Sequence, residues 1–568
     1  MCQNAQAACG EWSGAGTQND PFVATAANAT QPEVQACVDA ISTAQSGYVQ
    51  INIPSGEVAY SGTERLTVDT SVSDMNNVTH LNIKGAGTDN TIITNNVQSV
   101  FAYTTIYILP SRDNILVTIS DISFEPGTNY GQWGFIYVRR TNNTSNIGWH
   151  SFRITRCSFG GPQSAMIHIS GDLYGLIDNN TFTGSSNVDV ITAGAGISTW
   201  EKDLTLGSED AVFVENNTFV RTDSRYFNIN GIGDGNGGAR AVFRYNDVVN
   251  SRVGNFHGNE SQPVSMYSTE IYNNKFTLNS GNISTVFSVR GGTSLVYNNE
   301  LNGSYPALGD LQNYRSCPSF YGTHTGQISS TTMTDSNLTA RCGGYGFNGV
   351  PAGSQNDPYC ISASAITTSY YINNQTTGAW CNVASWTDDA ITCGTSLPYG
   401  PMQSGMRNEV EDNTWQTGDV YAVFFFRNDN GACDGLRDDV DGDGENGYPC
   451  SQQAGQVFGS LDSNTQARFP VYGWNNKQNG TTTDTWTVYG IMCAREANVL
   501  QINRDFFNRA PQVGDEGYAY YASYSQYTCP HRLAGTGSCD DGVAGTQGYN
   551  IISDDTIAPA SPTGLAVQ

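Results

Sequence analysis

A histidine and two arginines, each at the end of a short apolar alternating segment, are the residues best suited to chemistry in this sequence. The segments are Asn255-Phe256-His257, Phe287-Ser288-Val289-Arg290 and Gln312-Asn313-Tyr314-Arg315. His257 can act as a base, and the guanidinium groups of Arg290 and Arg315 match the geometry of a carboxylate. Proton abstraction beside a carboxylate needs both functions, because the enolate-like charge must be neutralised by a cation. These residues are the candidate catalytic group for β-elimination at a uronic acid.

Similar segments earlier in the chain supply candidate substrate-binding residues. They are Ile136-Tyr137-Val138-Arg139, Ile167-His168-Ile169-Ser170 and Phe227-Asn228-Ile229-Asn230. Their alternation directs the apolar side chains inward and the polar ones outward. If the strands stack about 4.8 Å apart, the outward residues form two columns. One column is Tyr137, His168, Asn228, Asn255, Ser288 and Asn313, and the other is Arg139, Ser170, Asn230, His257, Arg290 and Arg315.

A short Asn-rich phrase recurs along the sequence and indicates the repeating strands that must position these columns. Its copies are Asp178-Asn179-Asn180-Thr181-Phe182, Glu215-Asn216-Asn217-Thr218-Phe219, Tyr245-Asn246-Asp247-Val248-Val249, Tyr272-Asn273-Asn274-Lys275-Phe276 and Tyr297-Asn298-Asn299-Glu300-Leu301, with a weaker one at Thr155-Arg156-Cys157-Ser158-Phe159. Self-similarity at this period indicates stacked units that bury a core only against their neighbours. Asn tolerates the left-handed backbone, and its amide can bond to the same residue one coil along. The pattern predicts a parallel β-helix.

One amphipathic helix precedes the strands. Thr30 can cap it, Pro32 suits its first turn, and Val34, Cys37, Val38 and Ile41 form an apolar stripe, so we expect a helix within residues 30–43 that caps the end of the solenoid. The order of this helix, Ile53-Pro54-Ser55-Gly56, Ile83-Lys84-Gly85-Ala86-Gly87 and the Asn-Asn-Thr-Phe coils resembles secreted right-handed β-helix proteins of the pectate-lyase-like superfamily. The resemblance implies the fold strongly and the reaction weakly, because that superfamily includes lyases, hydrolases and adhesins.

The expected layout is therefore all-β, with a right-handed parallel β-helix, an N-terminal helical cap and long disulfide-stapled insertions. Residues 1–29 form an N-terminal segment, 30–545 the β-helix with insertions at about 316–405 and 428–468, and 546–568 a C-terminal piece. The final residues 557–567 resemble the linker and first strand of a fibronectin type III domain. Further rungs are expected at 410–415, 471–476 and 502–507, and the Tyr-rich stretch 517–530 is expected to close the C-terminal end.

Composition restricts the class of partner. The net charge of −26 argues against nucleic acid, which needs a basic surface, and no apolar run is long enough to span a membrane. Many of the 14 cysteines lie in loop-like sequence and none shows metal-finger spacing, which favours disulfides in an extracellular protein. The sequence does not give their connectivity. The loop-like cysteines are Cys2, Cys9, Cys342, Cys360, Cys381, Cys393, Cys433, Cys450, Cys529 and Cys539. Cys37 and Cys157 fall at apolar positions, as core thiols or as a bridge from the cap to the barrel.

A calcium site is predicted in the second insertion. Asp439, Asp441 and Asp443 occupy the first, third and fifth positions of an EF-hand-like loop, with Gly444 at the sixth and Glu445 next. Cys450 stands where that motif has its bidentate Glu, and a Cys433–Cys450 disulfide would clamp the loop. A Ca²⁺ ion here would serve loop rigidity rather than catalysis.

Two functions stay open at this point. The first is a secreted carbohydrate-active protein that acts on or binds an acidic polysaccharide, as a lyase or, with carboxylates from Asp172, Asp234 and Glu260, as a glycoside hydrolase. The second is a non-catalytic surface or matrix protein: an adhesin, a carbohydrate-binding scaffold or a filament subunit. Such a protein would self-assemble or attach through further C-terminal domains.

Overall fold

The computed structural model describes most of the solenoid and parts of its loops. The described residues are 9–62, 65–97, 104–112, 115–127, 134–140, 149–161, 166–171, 173–184, 191–194, 204–222, 233–236, 238–256, 266–279, 283, 285–313, 320–329, 331–338, 370–374, 380–387, 389–393, 414–425, 454–457, 467–483, 486–490 and 500–534.

Three long sheets of parallel strands make up the body of the protein. Sheet 1 contains, in spatial order, β1 (Phe22–Thr25), β2 (Gly47–Asn52), β5 (Val78–Lys84), β8 (Leu116–Ser120), β11 (Trp149–Thr155), β14 (Leu173–Asp178), β17 (Val212–Glu215), β20 (Arg240–Arg244), β23 (Ser268–Tyr272), β26 (Thr293–Tyr297), β37 (Val471–Trp474) and β41 (Phe506–Phe507). Sheet 2 contains β4 (Leu66–Asp69), β7 (Ile106–Leu109), β10 (Ile136–Arg139), β13 (Ile167–Ser170), β16 (Ile191–Gly194), β19 (Gly233–Asn236), β22 (Gly254–Phe256), β25 (Thr285–Val289), β28 (Ala307–Asn313) and β40 (Trp486–Gly490). Sheet 3 contains β3 (Gly56–Gly62), β6 (Thr91–Val97), β9 (Ser123–Pro126), β12 (Ser158–Gly160), β15 (Thr181–Gly184), β18 (Thr218–Arg221), β21 (Asp247–Val249), β24 (Lys275–Thr277), β27 (Glu300–Asn302), β38 (Lys477–Gln478) and the antiparallel β39 (Thr481–Thr482).

The chain visits the sheets in a fixed order. From β14 in sheet 1 it passes to β15 in sheet 3, then to β16 in sheet 2, and returns to sheet 1 at β17. Each strand pairs in parallel with the equivalent strand of the next coil, as Leu176 does with Phe213 and Phe182 with Phe219. This all-β arrangement of long parallel sheets is consistent with the predicted β-helix.

The Asn-rich phrase forms the turn between sheets 1 and 3. The residue just before the buried Asn of each copy has positive φ in successive coils, 55° at Asn179, 56° at Asn216, 55° at Tyr245, 56° at Asn273 and 55° at Asn298. Asn is the residue that accepts this left-handed conformation with the smallest penalty after Gly. The predicted role of the first Asn is confirmed, and Tyr245 shows that the coil geometry can impose the conformation on a less suited residue.

The second Asn of each phrase forms a buried ladder along the solenoid. The side-chain Oδ1 of Asn217 accepts two hydrogen bonds from Asn180, one from its backbone N–H at 2.9 Å and one from its side-chain amide at 3.0 Å. The side-chain amide of Asn217 in turn donates to Asn246 Oδ1 at 3.1 Å. The same bonds recur through the ladder residues Asn180, Asn217, Asn246, Asn274, Asn299 and Asn476. The predicted amide ladder is confirmed, and it satisfies backbone groups that the tight turn would otherwise bury without partners.

The core lies between the three sheets and contains stacked aromatic rings. Phe124, Phe159, Phe182 and Phe219 lie one above another, with centroid separations of 5.1, 4.9 and 4.6 Å and nearly parallel planes. The inward positions Ile136, Val138, Ile167, Ile169 and Val289 are buried in the same core, as their alternation predicts.

The predicted N-terminal helix is present as α1 (Gln31–Asp39) and packs near β2 and β4. Val34, Cys37 and Val38 face the core, and Ile41 is buried just beyond the helix end. Cys37 forms a disulfide with Cys9, so it is a bridge rather than a free thiol, whereas Cys157 is a buried free thiol. Cys393 and Cys529 are also disulfide-bonded. Cys2, Cys342, Cys360, Cys433, Cys450 and Cys539 lie outside the described residues.

Of the later rungs, the ones at 471–476 and 502–507 are confirmed, since Leu295 pairs with Tyr472 and Val471 with Phe506. Of the rung expected at 410–415 only Thr414 and Trp415 lie within the described residues, and Trp415 forms an antiparallel bridge with Ser329. Between β28 and β37 the strands form an antiparallel sheet whose order is β29 (Phe320–Thr323), β34 (Val420–Phe425), β31 (Tyr370–Asn374), β32 (Trp380–Trp386), β33 (Ala390–Cys393) and β30 (Thr332–Thr334), with a hairpin of β35 (Gln456–Val457) and β36 (Ala467–Arg468). A short apolar run cannot by itself distinguish a parallel from an antiparallel partner.

Residues 517–534, called here the C-terminal strap, lie along the outer face of sheet 1. The strap includes α2 (Tyr518–Tyr521) and a 3₁₀ turn at Arg532–Ala534. Tyr521 and Tyr524 pack with Phe213, Tyr272 and Tyr297 of sheet 1. The Tyr-rich stretch therefore covers the side of the solenoid rather than closing its end, because its tyrosines find apolar partners along the sheet face.

Candidate functional site

Outward residues of sheet 2 form the candidate site, and the strand register gives their true column. Tyr137 pairs with His168, and Asn255 pairs with Ser288, as the sequence predicts. The complete column reads Thr67, Tyr107, Tyr137, His168, Thr192, Asp234, Asn255, Ser288, Asp310 and Thr487. The backbone register shows that these residues occupy equivalent positions in successive parallel strands.

Two members of the predicted column are wrong in register. Asp234, not Asn228, occupies the rung beside Asn255, because the strand of that coil is Gly233–Asn236. Asp310, not Asn313, lies beside Ser288, because buried Leu311 pairs with Val289. The sequence alignment followed apolar alternation, which the Gly-rich strand at 233–236 lacks, and it also omitted the four-residue strand Ile191–Gly194. Asn228 itself lies outside the described residues.

The second predicted column is confirmed only at its start. Arg139 pairs with Ser170, and Ser170 with Gly194, but the next rung is Asn236 rather than Asn230. Phe256 pairs with Val289, which makes His257 and Arg290 the next residues after one paired rung. The pairing of Val289 with Leu311 makes Gln312, not Arg315, the residue that follows on the neighbouring strand. Asn230, His257 and Arg315 lie outside the described residues.

An aromatic stack fills the first half of the column. The ring centroids of Tyr107 and Tyr137 are 5.3 Å apart, and those of Tyr137 and His168 are 4.7 Å apart. Arg65 places its guanidinium carbon 3.8 Å from the Tyr107 ring centre, and Arg139 donates to the Tyr107 hydroxyl at 3.5 Å. Tyr137 and His168 are only 3% and 4% exposed, so this half of the column is covered.

His168 is therefore a neutral imidazole. Burial and, to a smaller extent, the positive charge of Arg139 lower its pKa to about 3. A histidine with so low a pKa accepts a proton poorly at neutral pH, since an efficient general base has a pKa near the working pH. In the arrangement observed, His168 supports the stack rather than acting as the base.

A buried carboxylate, Asp310, dominates the second half of the column. It accepts hydrogen bonds from Thr285 Oγ1 at 2.6 Å and Ser288 Oγ at 3.0 Å, and Arg252 lies 4.0 Å away. Asp310 is 4% exposed. The sequence signal that would have found it is the spacing of Leu308 and Leu311, which face the core on either side of it.

Arginines lie at both ends of the sheet 2 strands. Arg65 and Arg252 precede β4 and β22, while Arg139, Arg140 and Arg290 end or follow β10 and β25. Arg290 is partly exposed, and Arg140 stacks on Trp149 with its guanidinium carbon 3.6 Å from the ring centre. Arg139 and Arg140 are buried, so the partly exposed Arg65, Arg252 and Arg290 are the guanidinium groups that can hold carboxylate or sulfate groups of an extended ligand.

The outer faces of the other two sheets differ from this one. The strap covers much of sheet 1. On sheet 3, exposed Asp247, Lys275, Glu300 and Lys477 are in register in successive coils, so opposite charges alternate along the column. A column of alternating opposite charges carries no net charge and therefore presents little net attraction for an anion.

The predicted metal and hydrolase residues are not placed. Asp439, Asp441, Asp443 and Glu445 lie outside the described residues, as do Asp172 and Glu260. Within the described part of the chain, no group of His, Cys, Asp and Glu side chains is arranged to hold a metal ion. Asp234 is placed by its backbone register alone, on a sheet 2 strand rather than in the loop beyond one.

Comparison with known proteins does not assign this chain to a family. No protein-family model matches the sequence, and no curated protein matches it either. Among the described helices, none combines the length and the apolar character needed to cross a membrane. Function is therefore inferred from the residues and the fold.

Proposed function

We propose that this is a secreted carbohydrate-active protein that binds an acidic polysaccharide along the outer face of sheet 2. The observation that supports this most directly is the set of arginines at both ends of the sheet 2 strands in a chain of net charge −26. Successive rungs about 4.8 Å apart provide a periodic surface for an extended polymer. Carboxylate groups of the polymer would pair with the guanidinium groups, foremost with the partly exposed Arg290.

The finer structural interpretation belongs to the same proposal. We take the solenoid to be right-handed and similar to the pectate-lyase-like superfamily, with α1 as its N-terminal cap and a fibronectin type III-like segment near residue 568. Under this proposal the reaction is β-elimination, with His257 as the base and Arg290 and Arg315 as the groups that neutralise the uronic acid. The proposal also includes a Ca²⁺ ion, held by Asp439, Asp441, Asp443 and Glu445, that makes its loop rigid.

A second function is favoured by one specific observation. Tyr137, His168 and Asp310 are all at most 4% exposed, so these three rungs of the column are covered rather than open to a substrate. A covered column suits a non-catalytic carbohydrate-binding or matrix protein, in which ligand contacts are made at the strand ends and not on the sheet.

The test measures binding and turnover separately. The protein is incubated with pectate, alginate and glycosaminoglycans, with calorimetry for affinity and ultraviolet absorbance for unsaturated products. Arg290→Ala is expected to weaken binding by about 10- to 100-fold, the loss of one charge-assisted hydrogen-bonded contact. Lys477→Ala, which removes an exposed cation from sheet 3, is the matched control and should change little.

The outcomes separate the two functions. Turnover that His257→Ala abolishes while binding persists supports the lyase. Binding without turnover in the unaltered protein supports the scaffold. Failure to bind any acidic polysaccharide, or equal effects of Arg290→Ala and Lys477→Ala, contradicts the proposal.

A further inference from the structure

The C-terminal strap is attached to sheet 1 through buried polar contacts as well as apolar ones. Arg244 donates to the backbone carbonyls of Tyr527 and Thr528 at 2.6 and 3.0 Å, and Arg153 donates to that of Leu533 at 2.9 Å. These two arginines thus bind the strap by its backbone, from strands β20 and β11.

The charges of those arginines are balanced beneath the strap. Arg244 forms an ion pair with Glu215 at 2.6 Å in which both side chains are fully buried, and Arg153 forms one with Asp178 at 2.7 Å. Glu270 accepts a hydrogen bond from Tyr524 of the strap at 2.7 Å. The interface therefore places several ionisable groups where water does not reach them, which makes it sensitive to any added charge.

His531 lies at the centre of this interface and is completely buried. Its backbone N–H donates to Glu215 at 3.1 Å, and its Nδ1 accepts the N–H of Leu533 at 3.2 Å. The ring centroid is 4.5 Å from that of Phe213 and 5.1 Å from that of Tyr527. Because Nδ1 accepts a hydrogen bond, the observed geometry requires the neutral ring with its proton on Nε2.

The groups around His531 disfavour a second proton on the ring. Arg244 faces it from β20, His150 and Arg153 from β11, and Arg532 from the strap itself. Glu215 on β17 is the facing carboxylate, and it is already paired with Arg244. Protonation would place a positive charge among these cations and would remove the acceptor that Leu533 uses.

We propose that the C-terminal strap is a pH-sensitive latch that leaves sheet 1 when His531 is protonated. Release would uncover the aromatic outer face of sheet 1, formed by Phe213, Tyr272, Tyr297 and Tyr472. This device is independent of the proposed sugar-binding face on sheet 2.

The direction of the pH effect follows from linkage. Burial and, to a smaller extent, the neighbouring cations lower the pKa of His531 to about 3 in the docked strap, whereas a free histidine titrates near 6.5. The docked state binds the proton less well than the released state, so docking is strongest above about pH 6.5 and weakens as pH falls toward 3. Between pH 7.5 and 4.5 the docking equilibrium should change by about 100-fold.

Glu270 acts in the opposite direction. Burial raises the pKa of this carboxyl, so its contribution favours docking at low pH and is lost as pH rises through the raised value. Glu270 is present in both the unaltered protein and a His531 variant, so its contribution to the pH dependence of docking cancels when the two are compared.

The experiment is hydrogen–deuterium exchange of the full-length chain across pH 4.5–7.5, corrected for intrinsic exchange rates. Protection of strap peptides is expected to fall about 100-fold relative to peptides from β5 and β6, which serve as the internal reference. In His531→Asn, the Asn side chain keeps an acceptor near the position of Nδ1 but does not titrate. The part of the pH dependence of strap protection that comes from His531 should therefore be absent from this variant. His80→Asn is the matched control, because His80 is another partly buried histidine whose pKa is lowered, and it lies on β5, two strands away from β11 in sheet 1.

Two results would overturn the proposal. One is strap protection in the unaltered protein that does not change with pH, which needs no variant to observe. The other is an equal fall in His531→Asn and the unaltered protein, which would assign the pH dependence to other groups.

Discussion

The Asn ladder gives the sharpest test of how the solenoid is held together. Asn217 is 1% exposed, and its side chain bonds to Asn180 on one side and Asn246 on the other. Its amide also donates to the backbone carbonyls of Ile177 at 2.9 Å and Glu215 at 3.0 Å. Asn217→Ala removes all of these bonds in one step.

The expected magnitude follows from the groups left behind. The Asn180 backbone N–H and the Ile177 carbonyl each lose the Asn217 partner in the interior, at roughly 1–3 kcal/mol per unsatisfied group. We expect Asn217→Ala to lower the free energy of unfolding by about 2–6 kcal/mol. Because each coil contacts only its neighbours, the damage should be concentrated in the coils next to Asn217.

The matched control is the preceding residue. Asn216 has φ of 56°, a conformation that Gly adopts without steric strain, so Asn216→Gly should change the free energy by no more than about 1 kcal/mol. The assay is urea unfolding of the full-length protein followed by tryptophan fluorescence. Equal destabilisation by the two substitutions would refute the assignment of distinct roles to the two Asn positions.

Three further predictions concern charge and covalent links. Arg244→Ala should destabilise the protein by about 3–5 kcal/mol in urea unfolding, because it leaves Glu215 buried without its cation; the double replacement Arg244→Met with Glu215→Leu should recover most of the loss. Cys37→Ser should lower the free energy of unfolding by about 2–4 kcal/mol, because the Cys9–Cys37 bond closes a loop with a sequence separation of 28. A reducing agent should abolish the difference in stability between this variant and the unaltered protein. Burial raises the pKa of Glu270, so its contribution to stability is lost as pH rises through that raised value. Glu270→Gln should remove this loss, and a melting temperature that responds to pH identically in both proteins would contradict it.

The sequence predicted the repeating part of the fold well because its signals are local. A left-handed turn residue followed by a buried amide is encoded within five residues, so Asn179 with Asn180 and Asn298 with Asn299 could be recognised without knowing their neighbours. The inward positions Ile136 and Ile167 were likewise set by alternation within one strand.

The parts that could not be predicted depend on distant partners. Gly233–Asn236 has no apolar side chain to mark it as a strand, and only the strands on either side place Asp234 in the column. The strap has no period at all, and the burial of Tyr524 is decided by Glu270 and Tyr297 of sheet 1, far away in the chain. A slip of three residues at β28 replaced Asp310 by Asn313, which shows how sensitively a predicted site depends on register.

The central claim is that the outer face of sheet 2, bordered by arginines, receives an acidic polysaccharide. A structure of the protein with a bound uronic-acid oligosaccharide tests it most directly. The claim predicts sugar density along sheet 2 with a carboxylate on Arg290. Density on the outer face of sheet 1 or sheet 3 instead, with Arg290 free of sugar contacts, would contradict it.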